Sequence, residues 1–260
     1  MTSSSFLRLD GLTALISGAG GGIGASLVSS FREAGATIIG ADRDPAMLDG
    51  LGAQQTLTFD LADSAATASA VEAYLATSGV PDIVVANAGF TRAETLDGLD
   101  PATWDAEIAI NLNGTFAMTA PIVEAMAERG SGSLVFVSSV NGLGHYGNPA
   151  YAAAKAGLIA YAKAIAVERG AHGVRANVVC PGSVRTPAWD HRLAARPDLL
   201  DAVIAHYPLG RIVTPVEVAN AALFLASPAA SGITGAVLTV DAGLTAGNIK
   251  FINDVLKRPG

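Results

Sequence analysis

The sequence predicts a doubly wound α/β fold, a parallel sheet of about seven strands covered by helices on both faces. Three observations predict it. Short apolar runs alternate with longer amphipathic stretches, a glycine cluster follows the first run, and no Ser/Pro-rich linker breaks the chain. Residues 12–17 form the first strand, and a helix runs through Phe31. Strands follow at 37–41, 57–59, 83–86, 134–138 and 176–179, and 237–240 closes the series. Between them the clearest helical patterns cover 104–128 and 151–169. Such alternation gives parallel strands joined by helical crossovers.

Half of the 260 residues are hydrophobic and 15% are charged. Two readings account for this. Strands buried on both faces raise the average by themselves, and neighbouring subunits can cover apolar surface. A net charge of −7 excludes a general affinity for nucleic acid, which needs basic surface. Cys180 is the only cysteine, so an intrachain disulfide is impossible. Residues 1–10 carry no apolar signal region, and the lone cysteine fits a reducing compartment; a cytoplasmic protein is expected. The uncharged stretch 218–240 contains Pro228, Gly232 and Gly235. It reads as helix, turn and strand, with no membrane association expected.

Ser17-Gly18-Ala19-Gly20-Gly21-Gly22-Ile23-Gly24 follows the first strand and opens the first helix. Gly18 suits a tight turn, Gly22 a close approach of backbone to pyrophosphate, and Gly24 close helix packing. Gly20 and Ile23 complete the loop, and the helix N-terminus favours an anion. Asp42 ends the second strand, where a carboxylate can accept hydrogen bonds from the ribose hydroxyls of NAD and repel the phosphate of NADP. Arg43 keeps NADP open, because a guanidinium there can bind that phosphate. Asp44-Pro45 supplies a separate helix cap. Tyr151 and Lys155 are four apart on a predicted helix and share a face. An ammonium beside a phenol favours phenolate, so oxidation should titrate well below the usual tyrosine pKa of about 10. Asp60, Asp63, Asp82 and the histidines lack ligand spacing, so no metal site is expected.

With the strand-end Asn87-Ala88-Gly89, Asn111, Ser138-Ser139 and Pro181-Gly182 in order around these motifs, nearly the whole chain resembles the classical short-chain dehydrogenase/reductases. The resemblance implies a single Rossmann-type domain over 1–260, with a cofactor half at 1–133, a catalytic half at 134–260 and a substrate lid at 183–213. It implies that Tyr151 exchanges a proton with the substrate oxygen, that Lys155 holds the nicotinamide ribose, and that Ser139 orients the substrate. Asn111 would support a water relay behind Lys155. Asp60 and Leu61 would meet adenine, Asn87, Ala88 and Gly89 would line the cofactor cleft, and Pro181, Gly182, Val184 and Thr186 would lie at the carboxamide end.

The chain departs from the family pattern at Ser17, where threonine is usual, at Gly21, and at Ala242 after Asp241. The step from Ser139 to Tyr151 is one residue short. Ser138 would restore the count, but strand alignment favours Ser139. His145, Tyr146 and Asn148 are expected at the pocket border, and Trp189 and Tyr207 in the lid. Arg185, Arg192 and Arg196 suit either an acidic substrate or solvent.

The implied activity is hydride transfer between NAD(H) and a secondary alcohol, polyol or ketone. The alternatives are an NADPH-dependent 3-oxoacyl-[acyl-carrier-protein]-type reductase and a non-catalytic dinucleotide-binding scaffold. The family's habit implies a homotetramer, to which the tail 247–260 could contribute.

Overall fold

The chain builds one sheet because its strands are apolar on both faces. In β1 (Thr13–Ser17), Ala14 and Ile16 enter one core while Leu15 enters the other. In β4 (Ile83–Ala86), Ile83 and Val85 likewise oppose Val84. Strands with no wet face need helices on both sides. The computed structural model describes residues 7–257, apart from the side chains of Ala188, Asp190, His191 and Arg192.

The remaining strands are β2 (Thr37–Asp42), β3 (Gln55–Thr58), β5 (Gly132–Val137), β6 (Val174–Pro181) and β7 (Val237–Val240). The order is β3-β2-β1-β4-β5-β6-β7, and every pair is parallel. α1 (Gly22–Glu33) and α8 (Pro215–Ala226) cover one face. α2 (Ser64–Ser78), α4 (Gly114–Arg129) and α5 (Pro149–Glu168) cover the other. The winding reverses between β1 and β4, and the carboxyl ends of those strands open a crevice there. α5 is long and apolar enough to cross a membrane, but Ala154, Leu158 and Ala162 seat it in the core.

Local sequence sets the helix starts. Asp63 caps α2 by accepting from the Ala66 amide at 2.9 Å. Thr214 and Glu217 form a capping box around Pro215 at the start of α8. Asp44 accepts from the Ala46 amide ahead of a single 3₁₀ turn, Pro45–Leu48, as its Asp-Pro pair suggests.

Several expectations change, among them the bounds of β3, expected at 57–59, and of β6, expected at 176–179. The 104–128 pattern is two helices, α3 (Pro101–Ile108) and α4, joined by a π turn at Ala109–Asn113. The irregular lid contains α6 (Pro187–Ala195) and α7 (Leu199–Ile204), divided at Arg196-Pro197, where a proline ring disfavours helix in the preceding residue. The lid's ends are pinned together: Val184 bridges Val213, and the Arg185 amide donates to Val213 O at 2.8 Å. β5 stops at Val137, so Ser138 lies just beyond the strand.

Candidate active site

The glycine turn holds its shape by close approach. Gly18 has φ +63°, the left-handed region open to glycine. A Cβ at Gly24 would lie 1.9 Å from Gly18 O, so the first helical turn can fold back over the loop only without one. A Cβ at Gly22 would lie 2.9 Å from the Thr186 side chain, so Gly22 also makes room for the lid. No side chain caps α1. Its first-turn amides therefore have no intrahelical partner, and Gly22 and Ile23 line a cleft of about 670 Å³.

That cleft gathers most of the expected cofactor residues: Gly18, Gly20, Gly24, Asp42, Arg43, Asp60, Leu61, Asn87, Ala88, Gly89 and Thr186. Asp42 accepts from the Gly20 amide at 3.2 Å and from the Asp44 amide at 3.3 Å, so its carboxylate stands beside the glycine turn. The Asp60 side chain accepts from the Ala62 amide. A glycine floor, an uncapped helix N-terminus and an acid at the second strand fit a dinucleotide.

Ser17 ties the crevice together. Its buried hydroxyl accepts from the Asn87 amide at 3.1 Å and the Ala88 amide at 3.2 Å. The Asn87 side chain donates back to Ser17 O and Gly18 O. Substituting serine for the usual threonine therefore keeps the hydroxyl where it is needed. Ser17→Ala leaves two amides without their acceptor and should cost about 1–3 kcal/mol in thermal unfolding. Ser17→Thr should restore it. Wild-type stability in the alanine variant would remove this role.

A second cavity of about 350 Å³ adjoins the cleft and shares Ile23, Asn87, Gly89, Phe90 and Thr186 with it. It also holds Ser139, Tyr151, Lys155, Pro181, Gly182, Val184 and Trp189. Ser138 and Ser139 both line this cavity; the Ser139 hydroxyl hydrogen-bonds Tyr151, while the Ser138 hydroxyl donates to Lys155 O at 2.8 Å. The geometry thus puts Ser139 at the pocket despite the short step to Tyr151. The Lys155 ammonium is buried, donates to Val137 O at 2.9 Å and sits 5.4 Å over the Tyr151 ring.

The expected low tyrosine pKa is not what these groups produce. Burial pushes Tyr151 up to about 12, opposed by the Ser139 hydrogen bond and reinforced by Cys180 and Glu107. Burial also pulls Lys155 down to about 8. Desolvation is the largest cause of both shifts.

Asn111 is fully buried, but its side chain serves backbone. Oδ1 accepts from the Phe90 amide, and Nδ2 donates to Phe90 O and Glu107 O. It does stand next to the site, since a Cβ at Gly89 would lie 3.1 Å from Asn111 Oδ1 and 3.3 Å from Lys155 Nζ.

Other expectations divide. Trp189 lines the substrate cavity and is buried. His145 and Tyr146 are exposed and line neither cavity. Asn148, at φ +52°, donates to Thr91 Oγ1 and Ala93 O, so it builds the rim and does not line the cavity. Tyr207 is packing: its buried hydroxyl accepts from the Ser183 amide at 2.8 Å. Arg185 and Arg196 are exposed outside both linings, and the Arg192 side chain lies outside the described residues. Burial raises the Cys180 thiol pKa, which makes it inert packing. Ala242 takes φ +50° in the C-terminal turn, where glycine would be unstrained. Sequence reasoning missed Phe90 and Thr91, which line the cavity, and Glu107.

Comparison with known proteins agrees with this arrangement. A family model described as enoyl-(acyl carrier protein) reductase matches residues 18–245. A D-threitol dehydrogenase from Mycolicibacterium smegmatis is 39% identical over 251 residues, covering 92% of this chain and 94% of that protein. A 3-oxoacyl-[acyl-carrier-protein] reductase from Thermotoga maritima is 37% identical over 249 residues, covering 92% and 99%. Among solved structures, a short-chain dehydrogenase/reductase family oxidoreductase from Burkholderia thailandensis is 45% identical with a TM-score of 0.87, covering 95% and 98%. A gluconate 5-dehydrogenase from Burkholderia cenocepacia, solved with NADP and tartrate, is 32% identical with a TM-score of 0.87, covering 95% and 100%. The chain is an oxidoreductase of the short-chain dehydrogenase/reductase family, whose members bind a nicotinamide dinucleotide.

Proposed function

We propose that the protein oxidises small neutral secondary alcohols or polyols, and reduces the matching ketones, with NAD(H). The observation that carries this is the lining of the inner cavity. Phe90, Thr91, Ser139, Val184 and Trp189 surround Tyr151, and among the described residues Lys155 is the only charged side chain in the lining. Such a wall suits an uncharged substrate with hydroxyl groups, and unpaired carboxylates would be desolvated there at a cost. Bound nicotinamide supplies the hydride chemistry. Ser139 orients the substrate oxygen by a hydrogen bond, and Tyr151, protonated in this environment, donates to that oxygen in reduction and takes the proton back in oxidation. Lys155, four residues on, fixes the ring from above and meets the ribose.

The preference for NAD rests on Asp42 beside the glycine turn. Arg43 in the same lining keeps NADP as the second reading, as does the NADP-bound relative. Asp42→Ala should narrow the ratio of NAD to NADP kcat/KM by about tenfold or more, since a repelling charge is lost. An unchanged ratio would remove Asp42 from cofactor choice. A panel of polyols, alcohols, ketones and a 3-oxoacyl thioester, read by NADH and NADPH absorbance, tests the activity. Turnover of the thioester alone with NADPH would refute the reading.

A homotetramer and a cytoplasmic setting belong to the same proposal. Phe116 and Val167 expose apolar surface on α4 and α5, as does Leu238 on the edge strand β7. A monomeric mass by light scattering at working concentration would refute the assembly. A single cysteine, buried at position 180, suits a reducing compartment.

A further inference from the structure

The wall of the inner cavity that carries Phe90 and Thr91 follows β4 as an extended segment with no helix or strand of its own. Its order comes from side chains beneath it. Glu107, wholly buried on α3, accepts with Oε1 from the amides of Arg92 at 2.5 Å and Ala93 at 3.0 Å. One turn later on the same face, Asn111 grips both backbone groups of Phe90. From the other side Asn148, at the start of α5, takes Thr91 Oγ1 and Ala93 O, and its amide donates to Glu94 O. Glu107 Oε2 has no hydrogen-bond partner among the described residues.

A buried carboxylate with one oxygen unsatisfied is expensive. An apolar residue at 107, common on the inner face of a helix, would avoid that cost but would leave two amides without an acceptor. We propose that Glu107 is a positioning residue for substrate: it fixes the Phe90–Ala93 backbone so that Phe90 and Thr91 form a preorganised wall opposite Tyr151. The acceptor matters for this, and the charge does not. The inference rests on the proposed reaction for its kinetic readout alone.

Three variants separate the contributions. Glu107→Gln keeps an acceptor at Oε1, Glu107→Leu removes it, and Glu107→Asp retracts it by one methylene while preserving polarity. In Glu107→Leu the Arg92 and Ala93 amides should exchange hydrogen about tenfold faster or more. Substrate KM should rise about tenfold, with the NADH dissociation constant by fluorescence titration within about twofold of wild type. Glu107→Gln should match wild type in all three. If Glu107→Leu does not yield folded protein, Glu107→Asp should show the same KM rise and faster exchange.

Unchanged exchange or unchanged KM in Glu107→Leu, or in Glu107→Asp where the leucine variant does not fold, overturns the proposal, as does a Glu107→Gln variant that behaves like Glu107→Leu. So does a parallel loss of NADH affinity, which would mark general loosening. If wild type turns over no alcohol or ketone, the proposed reaction fails, and the exchange rates alone decide whether Glu107 holds the wall.

Discussion

Tyr151→Phe should lower kcat for alcohol oxidation by about 10²–10⁴-fold, the usual contribution of a positioned acid/base. NADH binding should stay within about twofold of wild type. The ring is kept, so the cation 5.4 Å above it and the packing of α5 keep their partner. What disappears is the one oxygen that Ser139 holds inside the cavity and that can pass a proton. Loss of kcat with intact cofactor affinity assigns the proton step to Tyr151, whereas a fully active phenylalanine variant would end the assignment. Ser139→Ala should be milder, because it removes the substrate's orientation and leaves the acid in place. Ser138→Ala should change stability more than rate, since its hydroxyl bonds inside the protein.

Lys155→Met should give a protein that is inactive yet more stable at neutral pH. The wild-type ammonium is buried, and its pKa is about 8 against an ordinary 10.5. Below pH 8 both folded and unfolded chains carry the proton, and the folded state bears the full desolvation cost, on the order of 3 kcal/mol. Between pH 8 and 10.5 the unfolded chain binds the proton and the folded chain does not, so wild-type stability rises with pH. Methionine has no such dependence. Thermal unfolding of cofactor-free protein should therefore show the variant ahead at pH 7 and the gap closing towards pH 10. Above pH 10 the raised Tyr151 pKa acts in the opposite sense, because the unfolded tyrosine ionises first. A wild-type profile that is flat from pH 8 to 10, or a variant less stable at pH 7, would refute the burial cost. Such a lysine is kept for chemistry at the expense of stability.

The fold was legible because a parallel sheet writes its strands as apolar runs, and the glycine turn marks the first crossover. The signal fails where burial fails. β3 exposes Gln55, Thr56 and Thr58 at the sheet edge, so its start was read two residues late. The lid hid two helices because its prolines read as breakers, although Pro187 sits at the first position of α6. Periodicity does not mark the π turn either, because alanines on more than one face of 104–128 blur the shift in phase that one added residue makes.

In the site, the Tyr151–Lys155 pair is readable from spacing and Ser139 from strand alignment and the family resemblance, and the structure brings the three together. The protonation behaviour is not, because it depends on how deeply both groups are packed. Glu107 is not legible as an inward group, because an acid on an amphipathic helix reads as solvent-facing charge. Its one legible sign is its place four residues ahead of Asn111, on the face turned inward.

The π turn at Ala109–Asn113 bears on how this family member can change in length. Each residue of a regular helix advances the azimuth by about 100°. Deleting one residue there could be absorbed as continuous α-helix, with every backbone bond still made. Asn111 would then swing away from Phe90, and Glu107 would keep its bearing while its neighbour one turn on lost it. A chain shortened by that single step would fold, bind dinucleotide and yet present a slack rim to its substrate. Indel tolerance of the scaffold and of the activity should therefore part company at this one turn.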